Sequence, residues 1–194
     1  MSEFVHLQVK SHYSLKSGLP TPKDIVDAAY KNGLKAVALT DKNSFFGIIK
    51  FYNYAISKGI KPICGVDFDI ESNLKGLTKG LLLAKNKKGL EKLFSLRTKS
   101  YLHANKAIKI NGNEIWALNQ DIIFILPSDN FSDYKSTDIQ DGKDFVATIE
   151  ALKNAFASNL YLGVTNYSEN AYDENSSNLI KFCSEKNIHA VALN

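Results

Sequence analysis

A run near the start of the chain combines polar side chains at a spacing typical of metal-binding strands. Residues 6–11 read HLQVKS, and residues two apart in a strand point to the same face. A His-x-His pair at this spacing would present two imidazoles to one zinc, manganese or iron ion. The two positions hold Gln8 and Lys10 instead, and a lysine at neutral pH has no lone pair to donate. The spacing suits a metal site, but the side chains do not.

Two aspartates follow apolar runs further along the chain. Asp41 comes after AVALT, and Asp67 comes after ICGV. Carboxylates at the ends of neighbouring strands can bind a metal or serve as acid and base. An aspartate at a strand end also commonly caps a helix or a turn, which is the simpler explanation for either one alone. Together with the spacing at residues 6–10, the two aspartates favour a former or present active site.

The elements that must position these residues are short apolar runs alternating with segments of helical period. The apolar runs predict seven strands, at 4–9, 35–40, 62–68, 80–85, 121–126, 160–165 and 188–193. The helical segments predict helices at 22–32, 44–58, 88–103, 143–157 and 174–187. Thr21 as cap, Pro22 at the first helical position and Gly33 at the end delimit the first helix. Residues 104–120 and 127–142 are interpreted as surface excursions.

Repeated strand-helix units with apolar strands predict a parallel sheet covered by helices. A nucleotide-binding open sheet would carry a glycine-rich turn after its first strand, whereas residues 10–14 read KSHYS. A barrel is therefore favoured, with its active face at the carboxyl ends of the strands, where Lys10, Asp41, Lys42, Asp67 and residues 165–167 are expected to lie.

Composition bounds the class of protein. With 194 residues and 44% apolar residues, we expect a single soluble domain spanning 1–194. An apolar run long enough for a bilayer is lacking, as is a signal peptide, so we expect a cytoplasmic protein without membrane contact. Cys64 and Cys183 are expected to be buried free thiols. The chain stops directly after an apolar strand, so we expect it to be the N-terminal portion of a longer protein.

The net charge of +4 looks evenly spread, and Arg97 is the single arginine among 24 basic residues. Sequence-specific reading of DNA favours arginine, so it is not indicated. The densest basic cluster, Lys85, Lys87, Lys88 and Lys92, is interpreted as a solvated helix start.

Three stretches together carry a family resemblance: residues 4–18 (FVHLQVKSHYSLKSG), 38–55 (ALTDKNSFFGIIKFYNYA) and 58–70 (KGIKPICGVDFDI). In this order they resemble the N-terminal PHP (polymerase and histidinol phosphatase) domain of bacterial DNA polymerase III alpha subunits. The resemblance implies an α/β fold, a distorted seven-stranded (β/α)7 TIM-like barrel. Active members of the family hold metal ions with histidines and acidic residues and hydrolyse phosphoesters.

The resemblance also implies that most ligand positions are altered in this chain. Those positions are Gln8, Lys10, Ser17, Asp41, Lys42, Asp67 and Lys79. Only Asp41 and Asp67 keep a ligating side chain, and in the sixth strand Gly163 and Tyr167 stand where an acid and a histidine are expected. We therefore expect no catalytic residue, no metal and no cofactor. Our hypothesis is that Lys10, Lys42 and Lys79 pair with Asp41 and Asp67 and keep the old site closed; the alternative is that the lysines extend into solvent.

The function implied is that of a non-catalytic scaffold in a DNA-directed DNA polymerase, a nucleotidyltransferase of DNA replication. Its expected partners are the rest of the alpha subunit, the proofreading exonuclease subunit, and DNA through the full-length protein. Two alternatives stay open: a metal-dependent phosphoesterase with an altered ligand set, and a DNA-binding module.

Overall fold

The computed structural model describes residues 4–74, 77–102, 109–128, 139–165 and 174–193. Within them, helices pack against one curled sheet of mixed strand direction. The helices are α1 Pro22–Lys31, α2 Ile48–Ser57, α3 Lys87–Leu102, α4 Gly112–Ile115, α5 Ile139–Phe156 and α6 Glu174–Lys186. Among the described helices none is long and apolar enough to cross a membrane.

The sheet contains seven strands in the described part of the chain. They are β1 Ala36–Leu39, β2 Lys61–Glu71, β3 Lys79–Ala84, β4 Ile110–Asn111, β5 Ile122–Pro127, β6 Leu160–Thr165 and β7 His189–Leu193. Their order is β1-β2-β3-β5-β6-β7, and β4 pairs with β2. β3 runs antiparallel to β2 and to β5, so the prediction of a wholly parallel sheet is wrong there. Residues 72–78 are too few for the crossover that parallel neighbours need.

Residues 4–9, predicted as the first strand, form no regular strand. Their backbone runs beside β1, because Ala38 N–H donates to His6 O at 3.0 Å and Thr40 N–H donates to Val9 O at 2.8 Å. Two steps along β1 are thus matched by three steps along the segment, as in a bulge. The Thr40 hydroxyl accepts the Val9 N–H at 2.9 Å. The irregular pairing still brings residues 8 and 10 to the sheet edge.

The predicted helices are observed within a few residues at most ends, and α1 shows why. Thr21 accepts a hydrogen bond from Asp24 N–H, while the Asp24 carboxylate accepts the Thr21 N–H, which makes a capping box. Pro22 occupies the first helical position. These local signals fix the start of α1 without help from the rest of the fold.

The segment 104–120 is more than a surface excursion, so that prediction is wrong for its described part. It contributes β4, α4 and the fully buried side chains of Ile110 and Ile115, with Leu118 6% exposed. Polar residues between these apolar ones conceal the pattern. Ile110 reaches the core by pairing with Ile70 at the end of β2, a contact between residues distant in sequence.

The basic cluster at the start of α3 is only partly solvated. Lys87 and Lys88 are 91% and 71% exposed, but Lys92 Nζ lies 2.8 Å from Asp121 Oδ2. Hydrogen bonds from Lys92 and then Asn86 hold the pKa of Asp121 below its usual value. This part of the cluster therefore anchors α3 to the turn before β5.

The two cysteines are free and buried, as predicted. Burial raises the pKa of Cys64 to about 11 and also raises the pKa of Cys183. Both thiols are therefore protonated at neutral pH and weakly reactive.

Candidate functional site

A cleft of about 950 Å³ opens beside β1 and β2. Six of the seven predicted site residues line it: Gln8, Lys10, Ser17, Lys42, Asp67 and Lys79. The seventh, Asp41, is only 1% exposed and does not line the cleft. Asp69, which is not among the predicted site residues, lines the cleft as well.

Asp41 is held by hydroxyl and amide donors. The Ser11 N–H and the Ser14 hydroxyl donate to its Oδ1 at 2.7 and 2.6 Å, and the Ser11 hydroxyl donates to its Oδ2 at 2.7 Å. Both serines are fully buried. Ser14 Oγ also accepts the Lys42 N–H at 2.9 Å. We call Ser11, Ser14 and Asp41 the serine cage; its neutral donors replace the water that a carboxylate loses on burial.

The loop that supplies these serines is built around a close backbone approach. Ser14 N–H and Gly18 N–H donate to Ser11 O and Ser14 O at 2.8 and 3.0 Å, and His12 N–H donates to Pro20 O at 2.9 Å. A Cβ at Gly18 would lie 2.2 Å from Ser11 O. Only glycine fits at this position, because the backbone atoms beside it have no room to retreat.

Asp67 is held by charge. Lys10 Nζ lies 2.9 Å from Asp67 Oδ2, and Gln8 Nε2 lies 3.4 Å from the same oxygen. The Asp67 side chain is 7% exposed and that of Lys10 is 26% exposed. The ammonium therefore reaches a nearly buried carboxylate from the open side of the cleft.

Asp69 takes part through the two-residue period of β2, which places it on the same face as Asp67. Lys42 Nζ lies 3.3 Å from Asp69 Oδ2, and Asn43 Nδ2 donates to that oxygen at 2.9 Å. Lys79 is its direct partner in the β2–β3 register. We call Lys10, Lys42, Asp67 and Asp69 the lysine–aspartate cluster. The alternation in VDFDI was a signal from which Asp69 could have been predicted.

Asn43 connects this cluster to α3. Its φ of 48° is left-handed, a conformation that asparagine tolerates better than most residues. Its Oδ1 accepts the Asp69 N–H at 2.9 Å, and its carbonyl accepts the Arg97 Nε–H. Desolvation lowers the pKa of Arg97. The Asn43–Arg97 hydrogen bond joins residues 54 apart in sequence, so a local sequence pattern cannot predict it.

The expected pairing of lysines with both Asp41 and Asp67 is only partly observed. Lys10 does pair with Asp67. Asp41 instead accepts hydrogen bonds from serines, and the ion pair of Lys42 is with Asp69. Lys42 follows Asp41 directly, and adjacent side chains in extended backbone point to opposite faces. The expectation for Asp41 was wrong for that reason.

In β6, the position predicted to have lost an acid is closely packed. Gly163 is buried, and a Cβ there would lie 2.3 Å from Leu193 Cδ1 of β7. Tyr167, the other predicted position in this region, lies outside the described residues.

The donors in the cleft do not suit a metal cluster. Among the residues that the structure describes, no three His, Cys, Asp or Glu side chains are grouped so that they could share a metal ion. Both oxygens of Asp41 are engaged by serine, and Asp67 Oδ2 is engaged by Lys10. A metal cluster requires several deprotonated ligands that are free to coordinate.

Comparison with known families identifies the domain. The family model named PHP domain matches residues 6–167. The chain belongs to the PHP domain family. The resemblance carried by residues 4–18, 38–55 and 58–70 is thereby confirmed.

Related sequences of this PHP domain are named DNA polymerase III subunit alpha. The protein of that name from Buchnera aphidicola of Schizaphis graminum is 38% identical over 130 residues, which cover 64% of this chain and 11% of the relative. Its namesake from Escherichia coli K12 is 42% identical over 105 residues, covering 52% of this chain and 9% of the relative. The alignments thus span about a tenth of each relative's length.

Solved structures support the fold of the PHP domain. An inferred metal-dependent phosphoesterase from Bifidobacterium adolescentis has a TM-score of 0.62 and 11% identity, covering 97% of this chain and 85% of its own. An amidohydrolase from Chromobacterium violaceum has a TM-score of 0.58 and 13% identity, covering 98% of this chain and 86% of its own. At such low sequence identity, these two structures support the fold of the chain and nothing about its function.

Proposed function

We propose that this PHP domain is a non-catalytic, metal-free scaffold within a DNA polymerase III alpha subunit. The names of its relatives support the parent protein. In this proposal, DNA synthesis belongs to the full-length subunit, through which the protein engages DNA for synthesis, and the working surface of the domain is its outside. The protein would act in the cytoplasm.

The observation that carries the proposal is the ion pair between Lys10 and Asp67. Its 2.9 Å separation places an ammonium group at a carboxylate oxygen that a metal ion would need. Lys42 at Asp69 repeats the arrangement at 3.3 Å. An ammonium bound in this way neutralises the acid without a metal, so the architecture of an active site can persist without its chemistry.

For the fold we propose that the curled sheet is part of a distorted seven-stranded (β/α)7 barrel. Residues 4–9 would complete it beside β1 as an irregular edge, supported by their two backbone hydrogen bonds to that strand. In this arrangement the cleft corresponds to the rim of the barrel, where the active sites of related barrels lie.

Metal content and hydrolysis test the non-catalytic part of the proposal. Residues 1–194 would be purified, incubated with zinc and manganese, desalted and analysed by mass spectrometry, alongside an Asp67→Asn variant. We expect less than about 0.1 metal ion per chain and no hydrolysis of p-nitrophenyl phosphate. One tightly held ion that is lost in Asp67→Asn, accompanied by hydrolysis, would instead support a phosphoesterase with an altered ligand set.

A binding assay tests the scaffold part. Immobilised residues 1–194 would be exposed to the purified proofreading exonuclease of the same organism, with the same chain denatured and blocked as control. We expect retention on the folded domain alone. If the exonuclease is not retained, residues 1–194 do not contain its binding site, and this part of the proposal is wrong.

A further inference from the structure

The outer surface of α1 and α2 carries lysines and tyrosines in alternation. Lys50, Tyr54 and Lys58 follow one another at four-residue intervals along α2 and its C-cap, which places them on one stripe of about 12 Å. Lys23 and Tyr30 of α1 lie beside this stripe. We call these five residues the lysine–tyrosine ridge.

Direct contacts organise the ridge. Lys23 Nζ lies 5.4 Å from the centre of the Tyr54 ring, and Lys58 Nζ lies 5.4 Å from the Tyr54 ring and 5.7 Å from the Tyr30 ring. Lys50 Nζ donates to the hydroxyl of Tyr13 at 3.4 Å. The ammonium groups are thus held against aromatic rings at the surface, where cation–π attraction places them without burying their charge.

Aromatic surface continues beyond one end of the ridge. The Tyr13 ring centre lies 4.2 Å from that of His12 and 6.2 Å from that of Phe46. Phe46 is 77% exposed, and Tyr30 at the other end is 59% exposed. Flat rings are therefore presented to solvent at both ends of a basic stripe.

The surrounding chain is more basic than the whole. Residues 4–61 contain nine lysines and three aspartates, a net charge of +6, whereas the whole chain carries +4. The prediction that positive charge is evenly spread along the chain is therefore wrong. Two of these lysines, Lys10 and Lys42, pair with acids of β2 in the cleft.

Of the three acids in this stretch, Asp41 is buried, Asp24 is engaged in the capping box, and Asp27 accepts the Tyr54 hydroxyl at 2.8 Å. Asp27 Oδ1 also lies 3.7 Å from Lys58 Nζ. The three lysines of the ridge outnumber this one neighbouring acid, so the ridge faces solvent with a net positive charge.

We propose that the lysine–tyrosine ridge binds single-stranded nucleic acid, with its lysines on phosphates and its exposed rings stacked on bases. Alternating point charges and rings match a strand that alternates phosphates and unpaired bases. Lysine without arginine suits contact with the backbone that does not depend on base sequence. The positive charge of the ridge is complementary to the negative charge of the nucleic-acid backbone.

Fluorescence anisotropy of a labelled twelve-nucleotide oligo(dT) with residues 1–194 tests this proposal. For three lysines on phosphates, the logarithm of the association constant should fall with the logarithm of salt concentration with a slope of about −2. The double variant Lys50→Gln/Lys58→Gln should weaken binding by about fivefold or more at 50 mM salt and flatten that slope. The matched control Lys87→Gln/Lys88→Gln makes the same charge change on α3 and should alter affinity by less than about twofold.

A second pair of variants isolates stacking from charge. Tyr30→Ala should weaken oligo(dT) binding by about fivefold, while Tyr30→Phe, which keeps the ring, should stay within about twofold of the parent. An abasic oligomer of the same length should bind more weakly than oligo(dT). Circular dichroism of each variant verifies that the fold is retained.

Three results would overturn the proposal: no binding of oligo(dT) at 50 mM salt, equal losses in the α2 and α3 double variants, or equal affinity for the abasic oligomer. A loss of exonuclease binding in Lys50→Gln/Lys58→Gln, with oligo(dT) binding unchanged, would also overturn it by making the ridge a protein interface. None of these results depends on whether the cleft binds metal, so this proposal and the scaffold proposal fail separately.

Discussion

Asp41 follows β1 and Asp67 lies within the neighbouring strand β2, yet their carboxylates are stabilised by different means. Asp41 is enclosed by the serine cage, where hydroxyl and amide dipoles take the place of water. Asp67 faces an ammonium group that stays partly in solvent. The difference shows that the candidate site has two layers: a buried layer that holds a loop to the sheet, and an open layer in which charges balance one another.

The two layers should differ in their contribution to stability. Removing a buried acceptor leaves donors that neither water nor protein can satisfy. Removing a partly exposed ammonium leaves a carboxylate that water can still approach, so the penalty is smaller. Four substitutions test this ordering, each read as the free energy of unfolding from urea denaturation.

Asp41→Ala should have the largest effect, a loss of about 4 kcal/mol, because three buried donors from Ser11 and Ser14 lose their acceptor. The control is Asp27→Ala, which removes an exposed carboxylate on α1. That variant should change stability by about 0.5 kcal/mol or less. Equal effects of the two changes would contradict the structural role of the serine cage.

Gly18→Ala should cost about 2 to 3 kcal/mol, because its Cβ would collide with backbone atoms of the cage loop. Gly59→Ala is the matched control. Gly59 has a φ of +69° and nothing within 4 Å of its Cβ position, so only backbone strain of about 1 kcal/mol is expected. The interpretation of the loop would be wrong if Gly59→Ala proved the more damaging.

Lys10→Met should cost about 1 to 2 kcal/mol, since Asp67 is left nearly buried and without its cation. The estimate lies below the value for a fully buried pair because the lysine is 26% exposed. Adding Asp67→Asn should restore most of the loss by removing the unpaired charge. A double variant less stable than Lys10→Met would argue against charge compensation at this position.

Lys42→Gln should have the smallest effect, about 0.5 kcal/mol or less, because Lys42 and Asp69 are 42% and 27% exposed. Asn43→Ala should cost more, about 1 to 2 kcal/mol, through loss of two hydrogen bonds to Asp69. Thermal and urea unfolding should agree on this order. If Lys42→Gln matched Lys10→Met, the open layer would be less exposed to water than its geometry indicates.

Local patterns predicted the helices well and the edges of the sheet poorly. α1 was placed by its capping box, and α3 and α6 were placed by helical period. Residues 4–9 carried a strand pattern but became irregular, because the hydroxyl of Thr40 takes the place of a backbone acceptor. That outcome depends on a side chain 31 residues away, just after β1, which a local pattern does not contain.

In the candidate site, too, some features could be predicted from the sequence and others depend on tertiary contacts. The resemblance to the PHP family marked Lys10, Lys42 and Lys79 as positions where that family has metal ligands. That a lysine at neutral pH cannot ligate a metal follows from its side chain alone. The choice of Asp69 rather than Asp41 as the ion-pair partner of Lys42 could not be predicted from side-chain type. It follows from the direction of adjacent side chains once the backbone is laid against β2.

The amino-acid order determined the helices and most of the strands, and it placed Gln8 and Lys10 at the spacing of a metal-binding pair, since these depend on local periodicity and side-chain chemistry. The pairing of each charge with its partner was settled by packing. Ser11 meets Asp41 across 30 residues, and Gln8 meets Asp67 across 59. Such contacts form only when the sheet and its loops come together, because proximity in the fold is not proximity in the chain.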